Sequence, residues 1–202
     1  MPIMSDMNIK DLALPEIREV YREQLKHDFP DNERRPLSMI EKLLAEGRYY
    51  CCGIRDESGV SAYAFFVRHE ETYLADYIAV RKDLRGTGIG SAFLQELRSR
   101  FREAACVLLE VDDPDAVTMD EEKAVRLRRL HFYRKNGLRD TGARARTFGA
   151  DYLIMEFPEG EAHDPAEAGK IYAGIYLSVL PEWLFDRMVK ITPDQNGSVT
   201  IS

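Results

Sequence analysis

The stretch DLRGTGIGSAF, Asp83 to Phe93, places three glycines at alternate positions directly behind an arginine. Alternating glycines can neither fill a core nor hold a helix, because glycine has no side chain to pack and loses the most conformational freedom on folding. A strand-like run, TYLADYIAV, precedes them at Thr72 to Val80, and apolar residues at helical spacing follow. Backbone N–H groups at a helix start carry the positive end of the helix dipole, so the segment is suited to a phosphate group.

Several phosphate ligands compete for this glycine segment. A P-loop needs Lys followed by Ser or Thr after its last glycine, where this chain has Ser91 and Ala92. A dinucleotide fingerprint reads GxGxxG, and the segment is one residue short of it, although Glu110 stands where a ribose-binding acid would. That fingerprint also follows the first strand of a parallel sheet, whereas an antiparallel meander is predicted here. A turn without any ligand does not require an arginine and three glycines.

Composition limits the class of protein. The 202 residues are 45% apolar and 31% charged, which is typical of a globular domain, and the formal charge of −7 argues against a nucleic-acid partner. The three cysteines form no CxxC spacing, so no metal and no redox motif are predicted. Neither a leader segment nor about 18 consecutive apolar residues is visible, so we expect a cytoplasmic protein without membrane contact.

The order of the predicted elements indicates an α+β fold. Helices are predicted from Pro15, over Leu37–Ala45, from Ile89 to Phe101, over Glu121–Lys135, near Tyr172–Leu180 and from Pro181. Strands are predicted over residues 49–69 with a turn at Asp56–Gly59, then at Thr72–Val80, Ala104–Val111, Leu138–Thr141 and Tyr152–Phe157. These elements suggest a domain over residues 1–157 and a linker with a helical extension over residues 158–202. We expect the extension to pack on the domain or to form a homodimer contact.

Two motifs together resemble the GNAT superfamily of N-acyltransferases. Its acyl-CoA signature, Arg/Gln-x-x-Gly-x-Gly/Ala, is met by Arg85, Gly88 and Gly90. The run FYRKNGL, Phe132 to Leu138, resembles the second landmark of the family, with leucine where phenylalanine is commoner. The resemblance implies a GNAT fold over roughly residues 1–157, in which helices flank a central, mostly antiparallel mixed sheet. The extension is not part of the common family core.

The resemblance also implies a cosubstrate and roles for individual residues. Acetyl-CoA would donate its acetyl group to an amine-bearing acceptor in a direct ternary complex. The pantetheine arm would lie along Ile78, Ala79 and Val80. Tyr133 would protonate the departing sulfur, unless it is a core aromatic. The pyrophosphate would lie on the backbone of Arg85, Gly86, Thr87, Gly88, Ile89, Gly90 and Ser91.

The base that deprotonates the amine has two candidates in the sequence. Asp76 lies on the strand before the glycines, and Glu110 lies near the end of a buried strand. The first could instead be a solvent-facing strand residue and the second a hydrogen-bonded structural acid, while His131 is expected to face outward. A basic run between residues 123 and 146 could meet the 3′-phosphate of coenzyme A or an acidic substrate, or be a solvated face. The rival to an enzyme is a non-catalytic acyl-CoA sensor with the same fold.

Overall fold

The computed structural model describes residues 8–192, and these residues form two compact units. The first unit contains residues 8–68 and Ala75–Glu103, and the second contains His69–Leu74 and residues 104–192. The α-helices of the described residues are α1 Leu14–Val20, α2 Lys26–Asp28, α3 Leu37–Ala45, α4 Ile89–Arg100, α5 Asp120–Lys135, α6 Pro165–Val179 and α7 Glu182–Met188. The strands are β1 Lys10–Asp11, β2 Tyr49–Asp56, β3 Gly59–His69, β4 Thr72–Val80, β5 Cys106–Asp112, β6 Arg139–Thr147, β7 Ala150–Glu156 and β8 Val189–Thr192.

The first unit is built around β3, which is buried along most of its length. Its strands lie in the order β1, β2, β3, β4, and β2 pairs antiparallel with both β1 and β3. Gly53 permits this pairing, because a Cβ at that position would lie 2.6 Å from the carbonyl oxygen of Ala62. A π-helical turn, Tyr21–Leu25, joins α1 to α2. The apolar face of α4 is fully buried at Phe93 and Leu97, as its helical spacing predicts.

The second unit has strands in the order β5, β7, β6, β8, and each neighbouring pair is antiparallel. Four of the five residues from Cys106 to Glu110 are buried, in agreement with the continuous apolar run predicted there. Helix α6 packs against β6 and buries Tyr172, Ile175 and Tyr176. It begins at a capping box, in which the Asp164 carboxylate accepts the Glu167 backbone N–H at 2.8 Å.

Two parts of the sequence prediction are corrected in the second unit. The strand predicted at Leu138–Thr141 extends to Thr147 and forms a hairpin with β7. The extension beyond Thr141 escaped prediction because arginines alternate there with buried Ala143 and Ala145. The apolar face of this part of the strand therefore consists of small side chains. The helix predicted from Pro181 ends at Met188, and β8 pairs with β6 beyond it. The boundary drawn at residue 158 stays a prediction, although residues 158–192 share a unit with β5, β6 and β7.

Within residues 8–192, the helices are all too short or too polar to cross a membrane.

Candidate active site

The glycine segment forms an exposed turn that leads into α4. Gly86 and Gly88 have φ values of 78° and 94°, a left-handed conformation that side chains other than glycine rarely adopt. A Cβ built at either position meets no atom within 4 Å, so the space in front of the backbone is open. The Gly88 carbonyl is the first helical acceptor, taking N–H groups from Ser91 and Ala92. The amides ahead of Ser91 therefore precede the hydrogen bonds of the helix and point towards its N-terminal end.

Two side chains of the turn hold it to the neighbouring backbone by hydrogen bonds. The Thr87 hydroxyl donates to the Leu84 carbonyl at 2.6 Å, and the Arg85 Nε donates to the Val80 carbonyl at 3.0 Å. The Arg85 guanidinium also pairs with Asp28, whose side chain is largely buried. The Thr87 hydroxyl and the Arg85 guanidinium therefore already fix the shape of the turn. Of the predicted pyrophosphate donors, the Arg85 backbone N–H donates to the Lys82 carbonyl at 3.4 Å and the Ser91 N–H to the Gly88 carbonyl at 3.1 Å.

The predicted pantetheine strand is the end of β4. Ile78, Ala79 and Val80 are half-buried, unlike the buried Leu74 and Ala75 earlier in the strand. The chain then leaves the strand at Arg81, whose backbone N–H donates to the Ser61 carbonyl at 2.9 Å.

Asp76 lies on β4 within a buried polar cluster. Arg35 forms a two-pronged ion pair with it at 2.8 and 3.2 Å, and the Tyr49 hydroxyl donates to it at 2.7 Å. The side chains of Asp76 and Arg35 are only 7% and 11% exposed, so this pair is shielded from solvent. Tyr77 completes the cluster, because its hydroxyl accepts the Arg35 backbone N–H at 2.6 Å and donates to the Glu33 carbonyl at 3.1 Å. Asp76 thus anchors the segment between α2 and α3 to β4.

Glu110 lies on β5 in a second polar cluster, within the other unit. The hydroxyls of Tyr172 and Tyr176 both donate to its Oε1 atom, the latter at 2.8 Å. The Tyr172 hydroxyl also contacts the Thr147 hydroxyl at 2.6 Å. Burial and the charge of Glu110 hold the pKa of Tyr172 well above its ordinary value, so this tyrosine stays protonated. Two elements distant in sequence, α6 and β6, therefore fix one oxygen of the carboxylate.

Tyr133 lies on the last turns of α5 and is half-buried. Burial raises the pKa of its phenol, the positive charge of Arg129 lowers it, and the negative charge of Asp112 raises it, with burial dominant. Its ring packs edge-on against Phe132, with the centroids 5.4 Å apart. The phenol is therefore neutral and holds a proton at physiological pH. His131, two residues earlier, is exposed, as predicted.

The basic run is largely neutralised by nearby acids. Arg129 pairs with Asp112, and Asp140 pairs with Arg134 and Arg144 at 3.1 and 3.2 Å. Four further pairs involve Lys123 with Asp115, Arg126 with Glu122, Arg139 with Glu156 and Arg146 with Asp151. These contacts favour the solvated-face interpretation over a dedicated anion site.

Sequence reasoning missed the partners of both carboxylates. Arg35 and Tyr49 lie 41 and 27 residues from Asp76, and Tyr172 and Tyr176 lie 62 and 66 residues from Glu110. The two α6 tyrosines belong to the apolar stripe of their helix, which predicts burial and gives no sign of a hydrogen bond to a strand.

Part of the chain is similar to known acetyltransferases. Residues 47–139 match the family model of the acetyltransferase (GNAT) domain. A Bacillus subtilis (strain 168) protein assigned as an acetyltransferase, YjbC, is 32% identical over 115 residues, which are 56% of this chain and 53% of that protein. The chain thus spans about half the length of this curated relative.

Two solved structures share the fold. A Bacteroides thetaiotaomicron protein assigned to the GNAT acetyltransferases has a TM-score of 0.60 at 20% identity, covering 85% of this chain and 95% of that one. A Bacillus subtilis acetyltransferase in complex with CoA has a TM-score of 0.54 at 14% identity, covering 75% and 98%. The α+β GNAT fold predicted from the two motifs is confirmed. The similarity to the acetyltransferase (GNAT) domain lies in residues 47–139.

Proposed function

We propose that this protein is an acyl-CoA-dependent N-acetyltransferase that moves the acetyl group of acetyl-CoA to a primary amine by direct transfer. The observation that carries the proposal is the open glycine turn at the start of α4, within the region that matches the GNAT domain model. A structural neighbour with the same fold was solved in complex with CoA, which supports the choice of cosubstrate.

The turn would hold the pyrophosphate of acetyl-CoA. Its backbone amides supply neutral donors at the positive end of the α4 dipole, and Gly86 and Gly88 let phosphate oxygens approach without a side chain in the way. The pantetheine arm would lie along Ile78, Ala79 and Val80. A backbone N–H of that strand would stabilise the oxyanion, and one such donor contributes about 2.7–4 kcal/mol to a transition state.

Tyr133 would supply the proton that the leaving group needs. The amine nitrogen attacks the thioester carbon, the C–S bond breaks, and the thiolate takes the phenolic proton. Because its pKa is raised, the phenol is a weaker acid than a tyrosine in water. It can protonate a thiolate, whose conjugate acid has a pKa of about 8.5, only when the two are held close together. Orientation would therefore contribute most of the effect of Tyr133.

Of the two carboxylates predicted from the sequence, we propose Glu110 as the acceptor of the amine proton. Its Oε1 atom accepts hydrogen bonds from two neutral tyrosine hydroxyls, which hold the carboxylate in a fixed orientation. Asp76 makes a different set of contacts, because both of its oxygens are bonded to Arg35. We propose that Asp76 acts by holding residues 33–35 in place.

The test is release of free coenzyme A thiol from acetyl-CoA across a panel of amines: small amines, aminoglycosides, peptide N-termini and lysine peptides. At least one amine is expected to raise thiol release well above the acceptor-free rate. A protein that binds acetyl-CoA and gives no release with any amine would be an acyl-CoA sensor instead. The absence of acetyl-CoA binding would contradict both functions.

A further inference from the structure

Three side chains of metal-ligand type converge in the second unit, apart from the residues assigned to acetyl transfer. Cys106 begins β5, Glu156 ends β7, and His163 lies just before α6. One ligand atom of each lies within 4.8 Å of the others. The His163 Nδ1 is 3.8 Å from the Cys106 Sγ and 2.7 Å from the Glu156 Oε2. The antiparallel pairing of β5 with β7 brings the first two residues together.

The geometry does not fit a nucleophilic cysteine. A catalytic Cys-His-acid arrangement uses both ring nitrogens, one facing the nucleophile and the other facing the acid. Here the same nitrogen, Nδ1, faces both the sulfur and the carboxylate. Burial, the largest effect, raises the pKa of Cys106 to about 12, so the free thiol is protonated at neutral pH. A thiol, an imidazole and a carboxylate with one ligand atom each within 4.8 Å of the others are instead a donor set that suits a metal ion.

We propose that Cys106, Glu156 and His163 bind one Zn²⁺ ion, with a water molecule as the fourth ligand. Thiolate, imidazole and carboxylate are the ligands that zinc prefers, at about 2.0–2.3 Å. Neighbouring ligands around a tetrahedral ion then lie about 3.3–3.6 Å apart, so the contact between Nδ1 and Oε2 opens by about 0.6 Å. On binding, the thiol releases its proton to solvent and His163 presents an unprotonated Nδ1.

The surroundings of the cluster fit this assignment. Arg139 pairs with the other oxygen of Glu156, Oε1, at 3.1 Å, and the His163 backbone N–H contacts that oxygen at 3.3 Å. Protein donors thereby hold Oε1, while Oε2 contacts His163. In metal sites, residues behind the ligands commonly fix the orientation of a ligating carboxylate in this way. Glu156 is 2% exposed and the His163 side chain is 24% exposed, so the site is enclosed but reachable from the His163 side.

The spacing of these residues explains why no metal site is predicted from the sequence. The ligands lie 50 and 7 residues apart in order along the chain, and no CxxC or paired-histidine spacing marks them. The site would tie the segment before α6 to the ends of two strands. Helix α6 carries the two tyrosines that bind Glu110, so the ion would also stabilise the position of that helix.

The test is zinc and cobalt binding by the chelator-treated full chain, measured by calorimetry and absorption spectroscopy. The variants are Cys106→Ser and His163→Ala. The matched controls are Cys52→Ser, another buried cysteine, and His131→Ala, another histidine, and circular dichroism checks that each variant is folded. Glu156 is left unchanged because its removal would deprive the half-buried Arg139 guanidinium of its ion-pair partner.

We expect one Zn²⁺ per chain in the wild type and in both controls. Each ligand variant should weaken binding at least about 100-fold, and only Cys106→Ser should abolish the thiolate-to-cobalt charge-transfer band. Zinc at about 100 times its Kd should raise the Tm of the wild type by about 5–10 °C. Failure of the wild type to bind zinc, or unchanged binding by His163→Ala, would overturn the proposal. The second criterion holds even if Cys106→Ser does not fold.

Discussion

The glycine turn before α4 and the cluster around Glu110 are built in opposite ways. The turn is contiguous in sequence, exposed, and shaped by backbone conformation at Gly86 and Gly88. The Glu110 cluster is buried and assembled from three separate elements, β5, β6 and α6. The glycine turn can hold a ligand through main-chain donors, which depend on glycine at these positions and on no particular side chain. The second depends on particular side chains far apart in the chain, so the two should respond differently to substitution.

The largest effect is expected at the turn, from Gly88→Glu. A side chain there must adopt φ near 94°, fills the open space, and adds negative charge beside the proposed pyrophosphate site. The Kd for acetyl-CoA by calorimetry should rise at least about 100-fold, equivalent to about 2.8 kcal/mol.

Gly149→Glu is the matched control for that substitution. Gly149 has a φ of 91° and equally open space, but it lies in the β6–β7 turn. The control should lose a similar amount of stability and keep its affinity for acetyl-CoA. Equal affinity in the two variants would show that the α4 turn does not bind the cosubstrate.

An effect on turnover and not on cosubstrate binding is expected from Tyr133→Phe, which removes only the phenolic proton donor. General acid catalysis typically contributes about 10²–10⁴-fold, so kcat should fall at least about 100-fold while the Kd for acetyl-CoA is unchanged. Tyr50→Phe, which removes a half-buried hydroxyl bonded to Asp11 at 2.6 Å, is the control and should keep kcat. A normal kcat in Tyr133→Phe would exclude this residue as the acid.

A pair of tyrosine variants separates the two carboxylates. Tyr176→Phe removes one hydrogen bond to Glu110, and Tyr49→Phe removes one hydrogen bond to Asp76. We expect Tyr176→Phe to lower kcat at least about tenfold, because a bond to a charged group contributes about 1.5–3 kcal/mol. The opposite pattern, with kcat reduced only in Tyr49→Phe, would identify Asp76 as the base.

The smallest effect on turnover is expected from Tyr49→Phe itself. Loss of a buried bond to Asp76 should lower the free energy of unfolding by about 1.5–3 kcal/mol and leave kcat near the wild-type value. Thermal unfolding measures this as a fall in Tm of about 3–12 °C for a chain of this size. Unchanged stability would mean that the Asp76 cluster does not anchor the segment between α2 and α3.

The same contrast explains what the sequence could predict. The features around the glycine turn are local: alternating glycines, a preceding strand and a following amphipathic helix. The turn and the fold were therefore predicted from residues 72–101 and the FYRKNGL motif. The partners of Glu110 and the convergence of Cys106 with His163 depend on strand pairing and on the return of α6, which no local pattern encodes. Strand β8 escaped prediction for a related reason, since four residues after a helix become a strand only by pairing with β6.

The central claim, that the turn before α4 binds the cosubstrate, is tested most directly by glycine-selective ¹⁵N labelling. The chain has 13 glycines, of which Gly86 and Gly88 lie in the turn and Gly90 lies in the first turn of α4. Titration with coenzyme A should shift these three amide resonances furthest, because their N–H groups would donate hydrogen bonds to the pyrophosphate. Large shifts confined to other glycines, with these three unmoved at saturation, would contradict the account.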